Sequence, residues 1–471
     1  MNIFKKVLRW LLPVPLILGT VGFLQQGQPL NDALFTAVTL YAMGYGDGGN
    51  CLPVEIARWA APIMTASGLV LLVSQLQTRL RSFFLYLRGQ AVAVYGGNEE
   101  AAQLLRLLDD RGIEGRDTFV KAQTYILTGP EADNLAFYRR HRRQLEHSSV
   151  YLKCSSLPAQ ATAPANLRLY CPEETAARLF WRQSDILALS KAHAHSMDIV
   201  IVGFGLLGEH LLTTALQQNI FSPDQTITYH IFGDDNGFAA THPQLKEISD
   251  PVRFHSEPWY TQLPLLEGAA MVIVAQQQEQ TALVNTLMDT LTRDTLHILA
   301  ADDFVFEILD GRSRMKLFCW EQEAVTPELI FSTKLYEDAM ALNLAYAVRY
   351  TGSTRTAEEE WADLNGFTRY SNISSADYFK MLCALLRSEG QPEDFNALSD
   401  AWKQRLSELE HIRWCRYHYL NNWRCGTPAD GKAKDAAKRI HRSLIPYAAL
   451  SDGEKAKDLD NIALMFALSE N

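Results

Sequence analysis

The hydrophobic positions of this 471-residue chain fall into runs of different length, and each length predicts a different element. Two runs are long: Val7 to Leu24, and Trp59 to Leu76 with no charge inside it. Each is close to the roughly 20 residues that cross a hydrocarbon core as a helix, the first somewhat short. Spans are therefore expected over 7–24 and 56–77. Between them, Asp32 to Asp47 reads DALFTAVTLYAMGYGD, an apolar, amphipathic helical stretch ending in Gly44-Tyr45-Gly46-Asp47. Alone, that ending reads equally as an ordinary turn. Short apolar runs bounded by glycine or polar residues follow: Ala91–Tyr95, Thr124–Thr128, Val150–Cys154 and Leu167–Cys171. A second series comprises Asp198–Val202, Thr226–Phe232, Val252–His255, Ala270–Ala275, Leu296–Ala300 and Met315–Phe318. These are buried-strand patterns; helical stretches such as Glu99–Leu108, Glu173–Leu187 and Glu209–Gln218 alternate with them, which predicts parallel α/β sheets. After Cys319 the pattern turns helical: Pro327–Tyr350 reads as one long amphipathic element, Thr351–Thr368 as a polar linker, and 370–471 as a small α-helical domain.

Charge orients the two long runs. Lys5, Lys6 and Arg9 precede the first, Arg79, Arg81 and Arg88 follow the second, and no Lys or Arg lies between Gln25 and Ala57. The positive-inside rule puts both outer ends in the cytoplasm. The expected location is an inner (plasma) membrane, multi-pass, with a large cytoplasmic C-terminal region. A signal peptide is the alternative for the first run, but no convincing small-residue cleavage site follows Leu24. Formal net charge is -10 and no long basic run occurs outside the flank, so no nucleic acid is expected as partner. Seven cysteines show no zinc-ligand spacing, so no metal site is expected beyond the pore and reduced thiols are.

A helical run ending in Gly-Tyr-Gly-Asp between two apolar spans resembles the pore loop of potassium channels. In that family a short helix points its C-terminal partial charge at a cation, and a Gly-rich strand lines up carbonyls that replace the ion's water. The resemblance implies a selectivity filter at Ala42, Met43, Gly44, Tyr45, Gly46 and Asp47, with K+ ions held in it. It also implies a homotetramer in a lipid bilayer. Gly68 falls where an inner helix commonly bends, with Leu72 and Leu76 at the gate; Gly68 is equally read as a small residue for close helix packing. Ala42 and Met43 depart from the usual Thr-Val and loosen the expected discrimination between potassium and sodium.

Residues 1–89 thus read as a transmembrane pore domain, and 90–195 as a degenerate Rossmann-like unit. Its Gly96-Gly97-Asn98-Glu99 turn lacks the G-x-G-x-x-G spacing, and its strands follow one another too closely for a full unit. Its position resembles domains that regulate potassium conductance, which implies a structural role in a gating ring. Residues 196–350 are better formed. Asp198–Val202 leads into Gly203-Phe-Gly205-Leu-Leu-Gly208 and then a helix, with Asp234 after the next strand near where such folds bind ribose hydroxyls. Two readings stand here: NAD(H) or another adenine nucleotide on Gly203, Gly205, Gly208 and Asp234, or glycines kept by the fold around an empty pocket.

In the C-terminal region His411-x-x-Trp414, Trp423-x-x-Gly426, Pro446-Tyr447 and Lys455-x-x-Asp458 resemble the small helical repeat of ryanodine receptors. That resemblance implies a ligand-binding or interaction module. Trp414, Trp423 and Tyr447 are candidates to stack on a base, and Arg413, Arg416 and Lys455 to hold phosphate, with His411 and Asp458 among the anchors. The alternative is that the rings are core and Lys455/Asp458 a surface contact. The combined expectation is a ligand-gated potassium or cation channel regulated by a small nucleotide, without enzymatic activity. Its alternatives are a non-selective cation pore and a non-conducting, membrane-tethered nucleotide sensor.

Overall fold

The structure, a computed structural model, describes residues 11, 13–44, 51–115, 119–155, 166–293, 295–301, 303, 306, 312–331 and 334–469, with the backbone alone at 68–79, 312, 334–336 and 469. The chain divides into two compact units, Met1–Ala91 with Val120–Ala122, and Val92–Phe119 with Gln123–Asn471.

The first unit holds helices α1 (Val14–Gln25), α2 (Leu30–Thr39) and α3 (Leu52–Leu87). They meet through small residues: Ala33, Ala37, Ala57 and Ala61 are fully buried around Phe23, Leu40 and Val54. A Cβ added at Gly19 would lie 3.1 Å from that of Ala37, and one at Gly22 would lie 3.0 Å from the Val54 nitrogen, so α1 approaches both neighbours closely. Phe35, Leu52 and Trp59 remain exposed.

Among the described residues no helix is long and apolar enough to cross a membrane. Helix α1 has 12 residues, a rise of about 18 Å against a hydrocarbon core of about 30 Å. The start of that expected span, residues 7–10, lies outside the described residues. Helix α3 has 36 residues, but its sequence is broken by Pro62, Thr65, Ser67, Ser74, Gln75 and Gln77, with Glu55 and Arg58 near one end and Arg79 and Arg81 towards the other. This corrects the expected membrane pore fold, its inner-membrane location and the potassium-channel resemblance, since the loop's place between two spans was what set it apart from a turn. The described part of that loop ends a helix. Leu40–Ala42 form a 3-10 turn, Met43 is left-handed at φ 58°, and the Gly44 N–H donates to the Thr39 carbonyl at 2.9 Å. That is helix-terminating geometry in place of an extended row of carbonyls. Tyr45, Gly46 and Asp47 lie outside the described residues, and Gly68, Leu72 and Leu76 lie in α3 where only the backbone is described.

The second unit contains two parallel sheets. The first pairs β1 (Val92–Tyr95), β2 (Gly112–Glu114), β3 (Thr124–Leu127), β4 (Ser149–Lys153) and β5 (Leu167–Tyr170) in the order β2-β1-β3-β4-β5, with helix α4 (Glu99–Leu108) after β1 and α5 (Pro172–Gln183) after β5. The second pairs β6 (Ser196–Val202), β7 (Thr226–Phe232), β8 (Val252–His255), β9 (Met271–Val274), β10 (Leu296–Ala300) and β11 (Met315–Cys319) in the order β11-β10-β9-β6-β7-β8. In both, the chain winds outward one way and then restarts beside its first strand. The first sheet has no counterpart of β8, which leaves it one strand shorter.

Strand β6 is buried on both faces, as its unbroken apolar run requires. Ile199 and Ile201 face the core shared with Leu211 and Leu212 of helix α6 (Leu206–Gln218), while Val200 and Val202 face the core containing Val272, Val274 and Leu287. The first of these cores continues into the C-terminal helices α7 (Gly366–Ser388), α8 (Asp400–Leu420) and α9 (Asp452–Ser469) through Tyr378, Leu382, Leu385 and Phe466. The C-terminal helices are built onto the second sheet. Between α8 and α9 along the chain lies a small three-stranded sheet of Arg424–Cys425, Lys434–Asp435 and Ile440–His441, which the helical pattern did not predict. The expected linker holds a helix, Ala357–Asp363, started by a capping box of Thr356 and Glu359. The single element expected over Pro327–Tyr350 is two helices, Pro327–Phe331 and Lys334–Thr351.

Candidate functional site

The turn from β6 into α6 divides its three glycines by role. At Gly203 φ is +97°, and a Cβ would overlap the backbone of Gln276, so only glycine fits. At Gly208 a Cβ would lie 2.5 Å from the Gly203 carbonyl oxygen, so helix and turn pack as closely as glycine permits. Gly205 is different: nothing lies within 4 Å of the position its Cβ would take. It is the N-cap of α6 and offers no side-chain cap, so the first N–H groups of this 13-residue helix are uncapped by it. Two glycines serve the fold, and the third leaves room for a ligand where a helix end carries partial positive charge.

A cavity of about 580 Å³ opens at the C-terminal ends of β6, β7 and β8. That is within the usual range for small-molecule sites. Gly233, Asp234 and Asp235 after β7 form one wall; Asp234 is exposed, and one of its carboxylate oxygens accepts from the Asn236 N–H at 3.0 Å. Asp235 accepts similarly from Gly237, and the Asn236 amide donates to the Phe204 carbonyl at 3.3 Å, which ties this wall to the glycine turn. His255, Glu257 and Trp259 after β8 supply the opposite side, and Gln276 the floor beside Val202. The His255 ring lies face-on against Phe232, with centroids 4.4 Å apart. His255 also meets His230 at 2.9 Å, which in turn meets Asp198 at 3.2 Å. Burial, and then the neighbouring His230, hold His255 below the ordinary imidazole value.

The glycines and Asp234 were legible as a motif. His255, Glu257, Trp259 and Gln276 carried no motif and reach the cavity because parallel strands end on one side of the sheet. In the first sheet the equivalent turn is closed. The Asn98 side chain accepts from the Ala101 N–H at 3.1 Å and from the Thr128 hydroxyl at 2.7 Å, and Gly96 packs against Thr128 with no room for a Cβ.

The C-terminal residues singled out by sequence are engaged inside the chain. Arg413 forms a two-pronged pair with Glu410 at 2.8 Å, both 1% exposed. Arg416 pairs with the fully buried Asp250 at 2.7 Å. His411 meets Asp458 at 3.0 Å and the Ile445 carbonyl at 2.8 Å; with acceptors at both nitrogens it is held as imidazolium. Burial opposes that charge, but the Asp458 bond and the Cys415 contact push His411 up to about 10. Trp423 is buried against Phe367, Trp414 packs between His411 and His418, and the Tyr447 hydroxyl donates to Ser407 while Lys455 lies over its ring. These contacts supply the core reading of the aromatics; none of these residues lines the cavity beside the second sheet.

No protein-family model matches the chain, and no solved structure matches it. The channel and ryanodine-receptor-type resemblances are therefore without family support, and the separated anchors of the latter have the packing roles just described. A chloroplastic NADP malate dehydrogenase of Flaveria bidentis is 26% identical over 136 residues. The aligned region is 27% of this chain and 29% of that protein, so the chain matches under a third of the relative's length.

Proposed function

We propose that this chain is a nucleotide-binding regulatory protein that takes an adenine nucleotide with an unmodified ribose, such as NAD(H), on its second parallel sheet. The observation that carries the reading is the room at Gly205, beside an uncapped helix end and a cavity walled by Asp234. A pyrophosphate would accept from the first N–H groups of α6, and Asp234 would accept from ribose hydroxyls. A 2′-phosphate would meet Asp234, Asp235 and Glu257, so the acidic wall opposes NADP. The test is Gly205→Asp, measured by calorimetric titration with NADH and by thermal melting. Aspartate is a good N-cap and has space in the free chain, so Tm should hold or rise slightly. It also sets a negative charge where phosphate would sit, and NADH affinity should fall at least about tenfold, about 1.4 kcal/mol. Unchanged NADH binding in that variant would overturn the proposal.

A second reading, a nicotinamide-dependent oxidoreductase, is favoured by the likeness to a malate dehydrogenase. Incubation with oxaloacetate and NADH separates the two. Oxidation of the cofactor supports the enzyme, and tight binding without turnover supports the regulatory protein.

A further inference from the structure

A second cavity, about 620 Å³, lies between α5, α6 and α7 and reaches Leu206 and Glu209 at the start of α6. Its charges are arranged unlike those of the first. Arg178 and Arg182 stand one helical turn apart on α5 and therefore share a face. Asp377 and Lys380, three apart on α7, share the face opposite. Asp377 is 3% exposed and accepts from Arg178, from Arg182 at 3.0 Å and from the Gln218 amide at 3.3 Å. One buried carboxylate thus answers two guanidinium groups. Lys380 lines the same cavity, and among the described residues it makes no hydrogen bond or ion pair. Burial, and then Arg182, hold its ammonium below the usual lysine value, against the weaker pull of Asp377 and Asp338. Four cations, Arg168, Arg178, Arg182 and Lys380, face three carboxylates, Glu174, Glu209 and Asp377, and Lys380 is half-buried without a direct partner among the described residues.

Leaving a cation partly desolvated and unpaired is costly, and an anion beside it removes that cost. Guanidinium forks and an ammonium converging from two helices suit an acceptor with several oxygens. We infer that this cavity is a second ligand site that binds the phosphate group of a small molecule between Lys380 and Arg182. The cavity is far larger than phosphate alone, so the rest of it takes the body of that molecule. Glu174 and Glu209, which also line it, would accept from hydroxyl or amino groups there. The site shares Leu206 and Glu209 with the start of α6, but none of the three glycines and not Asp234, so the two proposals can be tested apart.

The probe is inorganic phosphate, titrated calorimetrically into the full chain carrying Gly205→Asp, so that the glycine turn does not contribute. Acetylation of Lys380 is followed in parallel by mass spectrometry. Expected are saturable binding, weakened at least tenfold by Lys380→Gln and restored by Lys380→Arg, and slower Lys380 acetylation when phosphate is present. Binding that is indifferent to Lys380→Gln, absent binding, or acetylation unaffected by phosphate would each overturn the site. None of these results depends on whether NADH binds the second sheet.

Discussion

The two parallel sheets start from the same strand, turn and helix, yet one turn is closed by its own side chains and the other is open. After β1, Asn98 caps α4, Thr128 fills the space beside Gly96, and the first helical turn carries Glu99 and Glu100, the latter buried and paired with Lys153. After β6, the cap is a glycine with free space and no side-chain cap. The difference includes the backbone, which is left-handed at Gly97 but not at Phe204, as well as the side chains of Asn98 and Thr128. It teaches that such a turn keeps its fold whether its helix end is capped by a side chain or not, because the strand ladder and helix packing do not need the open N–H groups.

The sheets differ also in how they are anchored, and the largest predicted effect concerns that. Arg416 reaches from α8 to Asp250, which accepts as well from the Ile227 N–H and the Gln225 amide at the start of β7. Asp250→Ala would leave the Arg416 charge buried and unanswered, and should cost about 3–5 kcal/mol, read by denaturant unfolding. If the pair is the tie between the second sheet and the C-terminal helices, hydrogen exchange in α8 and β7 should rise together. A loss below about 1 kcal/mol would mean that the shared apolar core alone holds them.

Acid should separate the sheets next. His297 on β10 is 8% exposed, and burial, then Lys316, depress it to about 4. Unfolded imidazole titrates near 6.5, so between about pH 6.5 and 4 the unfolded chain binds a proton that the native chain does not. Stability then falls as pH falls through that window and levels off below it, by at most about 3 kcal/mol for this group. His418 on α8 and His441 on the small three-stranded sheet, also depressed by burial, act in the same direction. The strands of the first sheet contain no histidine. His297→Leu should flatten the acid limb of a Tm-against-pH curve, and an unchanged limb would assign it elsewhere.

Much of the second sheet was legible because its central strands, Ile199–Val202 and Met271–Val274, are apolar runs, and a strand buried on both faces leaves that signature. Strand β2, three residues in polar surroundings, left none. The helices of the first unit show why burial can be read while its partner cannot. Gly19, Gly22, Ala37 and Ala57 suit a lipid-facing helix bundle and a close three-helix packing equally, and only the length of α1 and the mixed sequence of α3 decide between them. In the candidate site, the glycines and Asp234 were local in sequence. His255, Trp259 and Gln276 come from other strand ends and needed the sheet order to bring them in.

The smallest predicted change in stability is the sharpest test of the comparison. Asn98→Gly removes the side-chain cap of α4, and glycine at an N-cap costs only a few tenths of a kcal/mol relative to asparagine. Thr128 retains its bond to the Tyr95 carbonyl at 3.1 Å, so the strand ends stay joined. The variant therefore opens the first turn with little loss of fold. Even so, two acidic residues, Glu99 and Glu100, stand in the first turn of α4 against one, Glu209, in that of α6, and the first sheet lacks the strand that supplies one wall of the cavity on the second sheet. Calorimetric stoichiometry with NADH should stay at one site per chain. A rise to two would mean that Asn98 alone closes the first sheet, and that the two turns differ by a single side chain.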